Sequence, residues 1–205
     1  PADFTVEGPG TIGADGVYVS ADTSAHQAGV VHGKVGSLTG TARIRVVPDL
    51  PWVFDFNDKA VPITWVGARY RHQARNLDGD QTMVKVSTIP KGARSRAWMG
   101  HPDMHDYTVE ADVRGDVKDN KMPDIGLIAQ RYTLDLMGAY QKLQIRSWVP
   151  VMRMAKSVEF PWRPDVWYRV KFSVTTEEQD GHMRALLRGK VWPRDQEEPA
   201  TWTIE

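Results

Sequence analysis

The stretch YRVKFSV, residues 168–174, decides the fold class that this sequence predicts. Its apolar and polar side chains alternate strictly, which is the period-two pattern of a β-strand with one buried and one exposed face. The same alternation occurs in YTVEADV, residues 107–113, and in KLQIR, residues 142–146. Repeated alternation of this kind indicates antiparallel sheets that are covered on one face only. The sequence therefore predicts an all-β fold.

Turn sequences support this prediction. Asp78-Gly79 and Asp180-Gly181 directly precede strand-like segments, and Asp-Gly is a preferred sequence in two-residue β-hairpin turns. No stretch of twelve or more residues keeps an uninterrupted helical period with capping residues at its ends. The segment YTLDLMGAY, residues 132–140, is ambiguous between a short helix and an irregular loop, and we expect a loop there with at most one helical turn.

The composition excludes several classes of protein. The 205 residues include 26 Lys and Arg against 26 Asp and Glu, so no net positive charge is present to attract nucleic acid. The absence of cysteine excludes disulfides, iron–sulfur clusters and thiol nucleophiles. No apolar run approaches the roughly 18 residues that a membrane span needs. The chain starts with neither an initiator Met nor a signal peptide, so we expect a mature or excised part of a protein.

A domain boundary is predicted near residue 48. Residues 1–48 contain about four short strand-like segments separated by glycines, and a complete β-sandwich needs about seven strands. The sequence Pro48-Asp49-Leu50-Pro51 then interrupts the strand pattern. We therefore expect residues 1–48 to dock on another surface or to complete a domain that begins upstream, and residues 49–205 to form the main domain.

Four stretches carry a resemblance to known proteins: GTARIRVVP at 40–48, WVGARY at 65–70, WMG at 98–100 and GLIAQRY at 126–132. In these stretches the chain resembles the C-terminal region of large bacterial quinoprotein-type β-propeller proteins. Those proteins are often labelled as similar to outer-membrane assembly factors. The labels describe propeller blades that this sequence lacks, so the function they imply does not transfer to it.

The resemblance also implies a fold for each part of the chain. Residues 1–48 resemble the end of a bacterial immunoglobulin-like domain, with GTIGADG at 10–16 matching its G-x-I-x-x-x-G turn region. Residues 49–205 resemble the concanavalin-like jelly-roll β-sandwich of laminin-G-like modules and keto-disaccharide hydrolases, in which a concave polar sheet face often receives sugar. An exported bacterial protein is implied, periplasmic or extracellular, in which this region is joined to a larger multidomain chain.

A pair of carboxylates raises the alternative of catalysis. Glu110 and Asp112 are two residues apart on one predicted strand, which places them on the same face about 7 Å apart. Paired carboxylates at such a distance can act as acid and base on a glycosidic bond. Glucanases of the jelly-roll fold carry a third carboxylate, and Arg114 or Gly115 stands at that position here. The sequence therefore favours a ligand-facing strand over a glycosidase site.

Tryptophans and polar strand residues mark a candidate sugar-binding face. Exposed indole rings suit the apolar face of a sugar ring, and Trp98 and Trp148 lie near predicted strand ends beside arginines. Trp167 continues into the core-patterned strand and is predicted to be a core residue. The proposed ligand-binding face combines these two tryptophans with polar residues of two predicted strands: Glu110, Asp112, Lys142, Gln144 and Arg146.

A structural calcium ion is a further expectation, because jelly rolls often hold calcium with carboxylates and carbonyls at a sheet edge. Asp55, Asn57 and Asp58 are the candidate ligands, with Asp78 and Asp80 as additional ones. Sequence motifs for serine hydrolases, nucleotide binding and zinc proteases are absent.

The function predicted from the sequence is that of a non-catalytic β-sandwich binding module whose partner is a carbohydrate or polysaccharide. Two alternatives stay open. The first is a glycoside hydrolase or lyase that uses Glu110 and Asp112, and the second is a structural domain that packs against another part of a larger protein.

Overall fold

The computed structural model describes residues 1–86, 95–147 and 151–205. Within these ranges the chain forms fourteen β-strands and no helix, so the all-β prediction is confirmed and no helix could cross a membrane. The strands are β1 (Asp3–Glu7), β2 (Thr11–Ile12), β3 (Tyr18–Val19), β4 (Gln27–Val35), β5 (Leu38–Val46), β6 (His72–Leu77), β7 (Asp80–Lys85), β8 (Tyr107–Arg114), β9 (Ile125–Ala129), β10 (Tyr132–Met137), β11 (Lys142–Ser147), β12 (Ala155–Glu159), β13 (Trp167–Gln179) and β14 (His182–Pro193).

The strands divide between two compact units, Pro1–His101 and Pro102–Glu205. The first unit holds a three-stranded sheet of order β1-β4-β5 and the hairpins β2-β3 and β6-β7. The second holds a four-stranded sheet of order β12-β11-β10-β9 and a three-stranded sheet of order β14-β13-β8. The predicted domain boundary at residues 48 and 49 lies inside the first unit, and the assignment of the two predicted domain types stays a prediction.

The second unit is a β-sandwich, because its two sheets share one apolar core. Phe172 and Val170 of β13 pack in the same buried cluster as Leu134 of β10 and Leu143 of β11. Phe172 is 0% exposed. Alternation along each strand sends the even-numbered apolar residues of 168–174 into this core, as the sequence predicts. The jelly-roll identity of the sandwich stays a prediction.

Two hairpins turn where the sequence predicts them. Asp78 and Gly79 connect β6 to β7 with φ angles of 55° and 97°, and Asp180 and Gly181 connect β13 to β14 with 54° and 74°. Positive φ at both central residues defines the type I′ turn, whose twist matches that of the flanking strands. Asp-Gly is suited to this turn because both residue types tolerate a left-handed backbone conformation.

The expectation of a loop at residues 132–140 is wrong. Residues 132–137 form β10, which lies inside the four-stranded sheet between β9 and β11. Thr133 and Asp135 on one face of β10 are buried, as are Leu134 and Leu136 on the other. The alternation of these four residues is the period-two pattern of a strand, but it is short and is followed by Met137 and Gly138, whose spacing from Leu134 also fits a helical turn.

An aromatic cluster in the first unit joins the start of β4 to the segment after residue 51. The ring of His26 lies 5.1 Å from the ring centroids of both Trp52 and Phe54. Its Nδ1 is 2.9 Å from the hydroxyl of Thr64, whereas its Nε2 is buried and has no hydrogen-bond partner within the described part of the chain. Phe54 also packs edge-on against Trp65. This cluster provides a surface on which residues 1–48 pack within their unit.

The stability of the first unit should fall as the pH is lowered. Burial lowers the pKa of His26, and it also lowers the pKa of His72, against the opposing hydrogen bond to Ala68. A histidine whose pKa is depressed on folding stabilises the folded state above its unfolded pKa and loses that contribution as the pH falls through its folded value. The urea midpoint, followed by tryptophan fluorescence, should therefore decrease between about pH 7.5 and about pH 5.5.

Matched variants distinguish the contribution of these two histidines to the pH dependence from that of other groups. His26→Gln and His72→Gln together should flatten the change in urea midpoint over this pH interval. His182→Gln is the control, because His182 is exposed at the β13-β14 turn. An unchanged pH dependence in the double variant would show that other groups cause it.

Candidate functional site

The structure places the predicted ligand-binding residues of the sandwich on two different sheets. Glu110 and Asp112 lie on β8, and they alternate with residues that pack against the core, so their side chains point outward from the three-stranded sheet. The polar side chains of β11, Lys142, Gln144 and Arg146, likewise point outward from the four-stranded sheet. The two groups thus do not share one face. Trp148 lies outside the described residues.

Both carboxylates of β8 are paired with cations of the neighbouring strand β13. Arg169 donates to the two carboxylate oxygens of Asp112 over 2.7 and 3.0 Å. Lys171 lies 3.0 Å from Glu110 and 2.8 Å from Glu198. The hydrogen bond to Asp112 raises the pKa of Arg169, and that to Glu198 raises the pKa of Lys171. The outer face of this sheet is therefore a network of neutralised charges.

The surroundings of the two carboxylates differ from those of a glycosidase general acid. A general acid in glycoside hydrolysis is a carboxyl group held protonated near neutral pH, which requires burial or a neighbouring negative charge. Glu110 and Asp112 lie instead beside an ammonium and a guanidinium group, with which their oxygen atoms form ion pairs. The two positions at which a third carboxylate could stand are occupied by Arg114 and Gly115. A Cβ atom at Gly115 would lie 2.7 Å from the ring of Trp162, so packing requires a glycine at that position.

The polar residues of β11 also have partners within the sheet. Arg146 donates to Asp135 of β10 over 2.8 Å, and both side chains are largely buried. Gln144 donates to the hydroxyl of Ser157 over 2.9 Å. Lys142 lies 3.1 Å from Glu159, at a more exposed position. These pairs connect β11 to β10 and β12. Cross-strand pairing therefore explains why β11 carries polar residues on this face.

The prediction that Trp167 belongs to the core is wrong. Trp167 precedes Tyr168, which points inward, so alternation along β13 places the indole on the outer face. There it lies between two guanidinium groups, those of Arg114 at 5.5 Å and Arg194 at 4.8 Å from the ring centroid. The indole that enters the core is that of Trp162, which is 3% exposed and donates to the carbonyl of Met137.

Trp98 lies at an open depression of about 430 Å³ in the first unit. Tyr70 lines the same depression, and these two aromatic side chains are 40% and 87% exposed. Arg71 and Arg96 also line it. Two accessible aromatic side chains beside two guanidinium groups form a surface that can pack against a ring and donate hydrogen bonds to oxygen atoms.

The backbone beneath this depression is held by a short bridge. The amide of Val66 donates to the carbonyl of Trp98 over 2.8 Å, and the amide of Trp98 donates back over 2.9 Å. Gly67 has a φ of 80°, and a Cβ atom there would meet the carbonyl oxygen of Arg96 at 2.9 Å. Glycine is thus needed for the close approach of the two segments, and this approach presents Trp98 beside Tyr70.

Tyr70 and Arg71 were missed as candidate residues in the sequence. The signal that could have identified them is the triplet RYR at 69–71, which repeats the pairing of arginine with an aromatic residue found in RAW at 96–98. Because a bridge formed by Val66 joins these distant segments, their proximity is a tertiary property.

The candidate calcium ligands form local turns. Asp55 accepts hydrogen bonds from the backbone amide and the side chain of Asn57, and Asp58 accepts one from the amide of Ala60. All three candidates are exposed. Among the described residues, no group of three or more His, Asp or Glu is arranged to hold a metal ion. Calcium binding by Asp55, Asn57 and Asp58 stays a prediction.

Comparisons with protein-family models, with curated proteins and with solved structures find no match to this chain. The resemblance to the C-terminal region of quinoprotein-type propeller proteins therefore stays a prediction that rests on the quoted stretches.

Proposed function

We propose that this chain is a non-catalytic carbohydrate-binding module and that the saccharide binds at the depression between Tyr70 and Trp98. The observation that carries the proposal is the exposure of these two aromatic side chains at one open depression. Large aromatic surfaces are costly to leave in water, and a stacked sugar ring covers them while its hydroxyl groups keep their contact with solvent.

The two arginines favour a saccharide that carries carboxylate or sulfate groups. Arg71 and Arg96 line the depression, and a guanidinium group binds such oxyanions with paired hydrogen bonds. An acidic polysaccharide outside the cytoplasm fits the proposed exported location and the proposed attachment to a larger multidomain protein. The depression is open, so we expect a dissociation constant of about micromolar to millimolar.

Calorimetric titration with oligogalacturonides, sulfated oligosaccharides and neutral gluco-oligosaccharides tests this proposal. Acidic oligosaccharides should bind, and Trp98→Ala or Tyr70→Ala should weaken binding by at least about tenfold, which corresponds to about 1.4 kcal/mol. Tyr140→Ala is the matched control, because Tyr140 is an exposed tyrosine of the second unit. Equal loss of binding in all three variants, or no binding by the unmodified chain, would contradict the proposal.

The same samples separate binding from catalysis. If the chain turns over an oligosaccharide and Glu110→Gln abolishes this turnover, the proposal of a non-catalytic module is wrong and the hydrolase or lyase alternative is supported. We expect no turnover, because both β8 carboxylates are already paired with cations.

A second candidate function is docking on another protein region, and exposed apolar side chains in the first unit favour it. Leu50, Val53 and Ile63 are all exposed in addition to Val66 beside the depression. If the chain docks on another protein region, we expect it to bind no saccharide, and we expect Val53→Asp to increase the soluble yield. If the chain is a carbohydrate-binding module, we expect saccharide binding both with and without that substitution.

A further inference from the structure

The strand β5 is a long edge strand of the first unit. It comprises nine residues and pairs only with β4 among the described residues. Its residues from Leu38 to Arg43 are exposed, and no segment of the described ranges covers them. The backbone groups on the outer side of such a strand are available for pairing with a further strand.

The two faces of β5 differ in character. Leu38, Gly40, Ala42, Ile44 and Val46 alternate along one face, which carries no charge. Leu38 is 74% exposed, and Val35, which is opposite it on β4, is 55% exposed. An uncharged sheet face with exposed aliphatic side chains is stabilised when a further strand extends it.

The other face of β5 is polar. It carries Thr39 and Thr41 in its first half and Arg43 and Arg45 in its second half. The two arginines would repel arginines placed directly opposite them, so this face limits the registers in which a second strand of the same sequence could pair.

We propose that β5 pairs antiparallel with β5 of a second copy of this chain, around a two-fold axis at Ala42. This register pairs all nine residues, since Ala42 is the central residue of the strand. The three-stranded sheet of each copy would then become half of a continuous six-stranded sheet with order β1-β4-β5-β5-β4-β1. A two-fold arrangement closes on itself and leaves no further β5 edge exposed.

The residues that face each other in this register are complementary. Thr41 meets Arg43 of the second copy, and Thr39 meets Arg45, so no two arginines are opposed. On the uncharged face Leu38 meets Val46, and the small Gly40 meets the larger Ile44. Shifting the axis to Arg43 or to Ile44 would place arginines directly opposite one another, which destabilises an antiparallel pair.

The opposite edge of the sheet is a poorer partner for a second copy. The strand β1 has only five residues and carries the carboxylates of Asp3 and Glu7. Pairing of β1 with β1 around its centre at Thr5 would place these two acidic residues opposite each other. The length and charge of the two edges therefore both select β5 for self-association.

Single-cysteine variants test the proposed register, because the natural chain has no cysteine. In Ala42→Cys the two thiols meet at the axis, where directly opposed Cα atoms are about 4.5–5.5 Å apart, within the range of a disulfide. Mild oxidation should therefore convert Ala42→Cys to a covalent dimer. Thr41→Cys and Arg43→Cys should each stay monomeric on a non-reducing gel, while the double variant should form the dimer. Thr5→Cys on β1 is the control for random collision.

Light scattering of the unmodified chain supplies the second measurement. We expect a dimer whose fraction rises with concentration, and we expect Ala42→Glu to be monomeric at every concentration while keeping its circular dichroism spectrum, since residue 42 is exposed. A monomer at all concentrations, or cross-linking of Ala42→Cys no faster than that of Thr5→Cys, would overturn the proposal. A dimer that Ala42→Glu leaves intact would also overturn it, because association would then use another surface.

Discussion

Deletion of residues 198–205 is expected to unfold the second unit or to reduce its free energy of unfolding by more than about 5 kcal/mol, which approaches the whole stability of a small domain. This segment follows the last strand and completes the core. Ile204 is 3% exposed and belongs to the buried cluster of the sandwich. It exchanges backbone hydrogen bonds of 2.8 and 3.0 Å with Gly189 of β14.

The same deletion removes the partners of a buried cation, the ammonium group of Lys190. Lys190 of β14 is 6% exposed, and its ammonium group lies 2.6 Å from Glu198 and donates to the carbonyl of Pro199 over 2.8 Å. The ring of Trp202 lies 4.8 Å from the same ammonium group. Without these partners the charge of Lys190 would still be buried at a desolvation cost, and the ion pair and hydrogen bond that offset this cost would be lost.

Urea denaturation with circular dichroism measures this loss. Ile204→Ala alone should cost about 2–5 kcal/mol through the lost core side chain, less than the deletion. Removal of Glu205 alone is the control, because that residue is exposed. A deletion variant as stable as this control would show that residues 198–204 do not contribute to the core.

Phe172→Ala should lower the free energy of unfolding by about 3–5 kcal/mol, whereas Trp167→Ala should lower it by only about 1–2 kcal/mol. Both residues lie on β13, with their side chains on opposite faces of the strand. Phe172 is buried between the two sheets, and truncation leaves a cavity there. Trp167 on the outer face loses mainly its contacts with Arg114 and Arg194.

Thermal and urea unfolding of these two variants, side by side, provide the measurement. Arg188→Ala is a further comparison, because Arg188 is on the outer face and pairs with the exposed Glu205 at 3.3 Å. A larger loss for Trp167→Ala than for Phe172→Ala would contradict the assignment of the inner and outer faces of β13.

The strands that the sequence predicted correctly are those with one covered face. The alternation of YRVKFSV at 168–174 identified the inward residues of β13, and Asp180-Gly181 identified its hairpin turn. The prediction was wrong at residues 132–137, where the short alternation of polar and apolar residues was outweighed by a spacing that also fits a helical turn. The prediction also failed at Trp167, which was taken as a continuation of the core-patterned strand although its position in the alternation places it on the outer face.

The candidate site was predictable only in part. Trp98 with its adjacent Arg96 was identified from the sequence, whereas Tyr70 and Arg71 became candidates only because the Val66 bridge brings the two segments together. Glu110 and Asp112 were correctly expected on one strand face, but their cation partners on β13 could not be read from spacing. Strand order decides which side chains lie opposite one another, and short sequence motifs do not encode strand order.

The amino-acid sequence by itself determined the all-β class, the positions of the Asp-Gly hairpins and the inward face of each half-covered strand, because these depend on local backbone preference and on the two-residue period of a strand. The tertiary structure alone decided that β8 and β11 lie in different sheets, that β10 is buried on both faces, and that Trp98 and Tyr70 line one depression. Those properties depend on contacts between residues far apart in the chain, which local periodicity does not specify.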